Sequence, residues 1–146
     1  MRFSKLIKVS CLQLLLLPLI ALLGCSEIEK IEFPESSLQG VVKYKGKPVP
    51  HALIIVNGNG IAAQGFADKD GNFLVERVPI GDVTIGVNTK AGRGNMMGDV
   101  MSAQQRGVSP PTFVDVPEKY FAPSSSGISF KITDPKGVNS FDIELN

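Results

Sequence analysis

The sequence predicts an all-β protein: a seven-stranded antiparallel sandwich behind a removable N-terminal leader. Three observations carry this. Apolar and polar residues alternate in short runs across residues 38–146. Turn formers, chiefly Gly, Pro, Asn and Asp, separate those runs. No segment of that region shows a convincing helical period.

The chain begins with three basic residues, Arg2, Lys5 and Lys8, and no acidic ones. An apolar stretch from Val9 to Leu23 comes next, interrupted by Ser10, Gln13 and Pro18. A permanent membrane span needs about 20 apolar residues. This run is shorter and broken by proline, so it reads as the charged and apolar parts of an export signal over residues 1–24. The run Leu22-Leu23-Gly24-Cys25-Ser26 then resembles a bacterial lipobox. The resemblance implies that the Cys25 thiol receives a diacylglyceryl group, that cleavage precedes Cys25, and that the new amine is acylated. Two or more acyl chains anchor a protein stably. The expectation is an exported protein, lipid-anchored at Cys25 to the cell membrane or outer membrane. Ser26 favours the outer membrane by the same resemblance.

Residues 25–37 read as a lipidated tether, polar and charge-rich with a Pro-Glu-Ser-Ser finish. The strands begin at Leu38. Leu38, Val42 and Tyr44 share the inward face of the first. Lys45-Gly46-Lys47-Pro48 turns the chain, and Ala52–Val56 is an apolar, β-branched run that fits a buried strand. Asn57–Gly60 turns into a weaker strand over Ala62–Ala67. Asp68-Lys69-Asp70-Gly71 leads to Asn72–Val78, and Pro79-Ile80-Gly81 to Val83–Val87. The last two strands are Ile128–Ile132 and the run Phe141–Leu145. Between the fifth and sixth strands lies a long loop, residues 89–127, rich in Gly and Pro. Structureless loops beyond about 12–15 residues are usually functional or disordered. A working surface is expected there.

Several chemistries are weighed on residue type and spacing. The 15 Lys and Arg face 14 Asp and Glu, and the leader's three charges are all basic, so the chain after residue 24 is slightly acidic. Nucleic-acid binding calls for a basic patch and is not expected. Cys11 leaves with the leader and Cys25 carries lipid, so no disulfide is expected. His51 is the single histidine, too few for a zinc site, and is expected to be exposed beside Pro50. Asp68, Asp70 and Asn72 are spaced like the start of a calcium loop. Gly71 then falls at loop position 4 and Pro79 at position 12, which fits a hairpin turn instead. Ser124–Ser126 lack an activating base and read as linker. Met96, Met97 and Met101 suggest Cu(I) ligands or, better, a soft contact surface. No catalytic residue, metal or cofactor is expected.

The run from Leu38 to Val87 resembles the carboxypeptidase regulatory-like domain. The residues that carry this are Gly40-Val41-Val42, Gly46-Lys47-Pro48-Val49, Ala52, the stretch Gly65-Phe66-Ala67-Asp68-Lys69-Asp70-Gly71-Asn72-Phe73, and Val78-Pro79-Ile80-Gly81. Val116-Pro117-Glu118-Lys119-Tyr120 and the ending Val138–Leu145 look like a variant found in bacterial exported lipoproteins. The resemblance implies a transthyretin-like, Greek-key sandwich over residues 38–146 and is nearly silent on activity. Related sandwich enzymes, the hydroxyisourate hydrolases and intradiol dioxygenases, use two or more histidines, which this chain lacks. The expectation is therefore a non-enzymatic structural or interaction module of the cell envelope, with an envelope protein as partner. The alternative is a glycan-binding module using the long loop, with Tyr120, Phe113 and Phe121 as the ligand surface.

Overall fold

The computed structural model describes residues 34–146. The expected export signal, Cys25 and the part of the expected tether before Pro34 lie outside the described residues. Among the described residues nine strands form two sheets, one of five and one of four.

The first sheet is organised by β1 (Ser37–Tyr44). On one side β1 pairs antiparallel with β5 (Asn72–Glu76) and with the two-residue β2 (Lys47–Pro48). On the other it pairs parallel with β8 (Val138–Ser140) and β9 (Ile143–Leu145). The second sheet has the order β4 (Ile61–Phe66), β3 (Leu53–Gly58), β6 (Gly81–Asn88), β7 (Ile128–Ile132), all antiparallel.

Two expectations are corrected here. The strands number nine, and one sheet is mixed. β2 is an extra strand because Lys45 and Gly46 both take positive φ, 51° and 77°, and fold the chain straight back onto β1. The closing run divides into β8 and β9 because the Asp142 carboxylate, not a backbone carbonyl, accepts the Val41 N–H at 2.9 Å. Both pieces run parallel to β1 because the preceding strand, β7, belongs to the other sheet. The chain crosses between sheets at the end where β1 starts, so it re-enters alongside β1 in the same direction.

The packed fold also begins before Leu38, where the domain was expected to start. Ser36 is buried, its Oγ donating to the Val78 carbonyl at 2.6 Å, and Ser37 opens β1.

The alternation read from sequence places the core. Leu38, Val42, Ile54, Val56, Val75, Ile85, Val87, Ile132, Ile143 and Leu145 are fully buried between the sheets. Each such aliphatic side chain contributes about 1.5–3 kcal/mol on burial. Residues 34–146 contain no cysteine, so packing carries this stability without cross-links. Phe130 on β7 stacks on Phe141 between β8 and β9, with ring centroids 4.6 Å apart, and closes the gap where the two sheets meet.

The tight turn that carries the chain from β4 to β5, in the other sheet, behaves as its residues suggest. Asp68 accepts the N–H groups of Asp70 and Asn72, at 2.8 and 2.9 Å, and the Asn72 side-chain amide at 2.9 Å. Gly71 takes φ +81°, where any larger side chain would be strained. Burial pushes the Asp68 pKa up, but those hydrogen bonds and the Lys69 charge outweigh it and hold the pKa below the ordinary 3.8. A depressed carboxylate stabilises the fold above its unfolded pKa, and the contribution is lost as pH falls through the folded value. Denaturant midpoints taken from about pH 5 to about pH 2 should therefore fall less steeply in Asp68→Asn than in wild type.

Candidate functional site

β1 and β6 run in the same sense, one in each sheet, and give the sandwich a polarity. β1 starts beside Val138 and β6 starts beside Ile132, at one end. β6 finishes at the other end, and the segment from Thr89 to Gly127 emerges there. The segment expected to carry a working surface thus lies at the opposite end of the fold from the N-terminal chain.

The segment is more ordered than a loop. It holds a helix, α1 (Arg93–Arg106), a 3-10 turn (Glu118–Tyr120) and a short helix, α2 (Pro123–Ser126). The sequence hides α1 for a physical reason. Of its 14 residues only Met96 and Ala103 are buried, and Gly94 and Gly98 dilute any apolar stripe. Tertiary contact holds it instead. Gly92 sits so close to the His51 carbonyl that a Cβ there would lie 1.7 Å from the oxygen. At the far end Gly107, at φ +68°, closes the helix with N–H bonds from Gly107 to Gln104 and from Val108 to Ala103.

His51 is not the exposed residue that its neighbour Pro50 suggests. Its side chain is 12% exposed, and Nε2 lies 2.8 Å from Asp99 Oδ2 on α1. The approach is close but off the line of a hydrogen bond. His51 also takes φ +57°, held there by donation of its N–H to the Asp68 carbonyl at 3.1 Å. One residue therefore ties the β2–β3 connection, the β4–β5 turn and α1 together. Nearby, Thr89 Oγ1 is buried with no hydrogen-bond partner among the described residues.

The residues expected to form a ligand surface are not presented alike. Tyr120 is 7% exposed and belongs to the core cluster. Its hydroxyl donates to the carbonyl of Asn146 at 2.8 Å, fastening the segment to the last residue. Phe121 is half-buried against the core, with Lys90 Nζ 5.4 Å from its ring centroid. Lys90 also pairs with Glu118 and holds that carboxylate below its usual range. Phe113 is half-buried too, with the Arg93 guanidinium 4.4 Å from its ring centroid. The three rings do not make one open stacking platform.

The serines of α2 fasten the segment and are not a flexible linker. Ser126 Oγ donates to the Ile85 carbonyl at 2.5 Å, and Ser125 Oγ to the Lys119 carbonyl at 2.8 Å. Pro123 packs on Gly86, where a Cβ would come within 2.8 Å of the proline ring. The methionines separate. Met96 is buried, while Met97 and Met101, one helical turn apart, are exposed. They form a soft apolar face and do not bring three sulfurs together. A shallow depression of about 300 Å³ lies elsewhere, on the first sheet, lined by Gln39, Asn72, Ser140 and Asp142 among others. Asp142 there is already engaged by Val41, and Gln39 by Ser140.

No family model and no curated protein matches the chain. Solved structures to which it is similar include the Bacillus anthracis TIE protein, at 10% identity and TM-score 0.44, over 77% of this chain and 16% of that one. A DUF3823 family protein from Parabacteroides merdae matches at 14% identity and TM-score 0.41, over 77% of this chain and 46% of that one. The chain spans less than half the length of either. Likenesses of this size carry no argument about function.

This geometry has two testable consequences. Gly92→Ala or His51→Ala should raise amide hydrogen exchange across α1 while leaving the β3 and β6 amides protected, because the docking contacts are lost and the sheet ladders are not. Tyr120→Phe should lower stability by about 0.5–1.5 kcal/mol in denaturant unfolding, the usual worth of one hydrogen bond.

Proposed function

We propose that the protein is an exported lipoprotein of the cell envelope, anchored through lipid on Cys25, whose transthyretin-like, carboxypeptidase regulatory-like sandwich works as a non-enzymatic structural or interaction module. The observation that carries this reading is the polarity of the domain. The chain that would lead to the lipid joins one end, at Ser36, and the Thr89–Gly127 segment, with the exposed Met97 and Met101, lies at the other. That arrangement suits a module held by one end and read at the other. The hydroxyls of Ser125 and Ser126 are spent on backbone carbonyls, which supports a non-catalytic role.

A glycan-binding module is the second reading. Phe113 and Phe121 favour it in being partly accessible beside cationic side chains. The burial of Tyr120 weighs against it, since that removes the one tyrosine of the three rings from reach of a sugar. Tyr120→Ala would open the core, so loss of binding in that variant would not report a ligand contact. Glycan arrays probed with wild type and Phe113→Ala separate the two readings.

The deciding test concerns the anchor. Wild type and Cys25→Ala are expressed in a bacterial host, then subjected to membrane fractionation and mass spectrometry of the N-terminal peptide. Wild type should begin at an acylated Cys25 and sediment with membranes, and Cys25→Ala should lose both properties. An unacylated wild-type N-terminus beginning elsewhere would overturn the reading.

A further inference from the structure

The end of the sandwich that receives the N-terminal chain has a feature that its fold does not need. Ser36 is clamped on both sides. Its carbonyl accepts the Val78 N–H at 3.0 Å and its hydroxyl donates to the Val78 carbonyl, while the next residue, Ser37, donates its N–H to Gly137 at 3.0 Å. The loop before β6 and the first residue of β8 each expose an aliphatic side chain. Ile80 is 43% exposed and Val138 is 54% exposed. Neither packs in the core, and together they flank the point where the chain leaves toward Cys25. The backbone around Ile80 is itself fixed, because the Asn59 side chain donates to its carbonyl at 2.7 Å.

Charges at this end are mixed. Lys136 approaches Glu35 at 3.9 Å and donates its N–H to Asp134 at 3.0 Å, and Lys131 lies across from Asp82 in the ladder. A partner recognised by one sign of charge is therefore disfavoured. An apolar contact that tolerates a neutral surface fits better.

We propose that this end, marked by Ile80 and Val138, rests on the surface of a lipid bilayer, so that the Thr89–Gly127 segment points away from the membrane. The proposal rests on the reading that Cys25 is lipidated. Residues 26–35 separate Cys25 from Ser36, a fully extended reach of about 35 Å. Two aliphatic side chains alone would bind a bilayer weakly. A tether this short turns their contact into an intramolecular one, at high effective concentration, so weak contacts suffice to orient the domain. The interleaved charges predict that zwitterionic lipid is enough and that salt has little effect.

The test uses the full-length lipidated protein with single cysteines at three sites. Cys25 is blocked by its lipid and Cys11 leaves with the leader, so Ile80→Cys, Val138→Cys and Met97→Cys can each be labelled with an environment-sensitive dye. The proteins are reconstituted in phosphatidylcholine vesicles and floated on a gradient. Dyes at 80 and 138 should shift to the blue and be quenched by a lipid-borne quencher, and the dye at 97 should do neither. Adding Val138→Ser to the Ile80→Cys protein should reduce the shift at 80. Floating protein that responds equally at all three sites, at none, or only at 97 would overturn the orientation and leave the anchor standing. Protein that does not float, with an unacylated N-terminal peptide, would overturn the anchor and the orientation with it.

Discussion

Strand β1 is bonded along both edges, and the first sheet exists only because of it. Its even-numbered backbone groups face β5 and β2: the Val42 N–H goes to Gly71, and the Val42 carbonyl accepts from Val49. Its odd-numbered groups face the last part of the chain, with Ser37 bonded to Gly137, Gln39 to Phe141 and Lys45 to Leu145. Residues 37–45 therefore join the middle of the sequence to its final ten residues. These contacts are long-range, and bringing distant segments together costs loop-closure entropy before any bond repays it. The strand that begins the domain cannot be satisfied until the strand that ends it arrives.

The second sheet has a different dependence. Its β3–β4 hairpin is closed by a short turn, and β6 adds to β3 before the chain makes its long departure ahead of β7. That departure is held by a few contacts of high specificity. Gly92 fits under the His51 carbonyl, Pro123 sits on Gly86, Ser126 bonds across to Ile85, and Tyr120 reaches the carbonyl of Asn146. Glycine matters at these places because backbone and ring come closer than any Cβ allows. Between these fixed points α1 buries little, and its outer face carries Met97 and Met101 into solvent. The sandwich thus carries a lightly docked helix at one end.

Much of the sandwich was legible because strand burial has period two and leaves a direct mark on sequence. Val83, Ile85 and Val87, and Ile143 and Leu145, fall on the buried face that alternation assigns them, and the apolar run around Ile54 and Val56 is buried as a strand. The Asp68–Gly71 turn was legible because its geometry is local, needing only a side chain that bonds its own backbone and a glycine at positive φ. The helix α1 was not legible, since a helix that buries two residues has no apolar period to read. Nor was the burial of Tyr120. In the sequence it stands in a polar, proline-flanked run, and only the final Asn146 carbonyl and the adjoining core give it a reason to turn inward. His51 beside Pro50 carries no local signal for the Asp99 that approaches it from another element.

Residue order by itself determined the charged and apolar N-terminal run, the cysteine behind it, the β class of the domain and the identity of most core residues. All of these are encoded within a few neighbouring positions. Tertiary structure alone decided that β8 and β9 run parallel to β1, that the 89–127 segment is pinned at the end away from Ser36, and that Tyr120 is a structural residue. Those outcomes depend on which distant backbone groups find each other once both sheets close. No short window of sequence contains both partners.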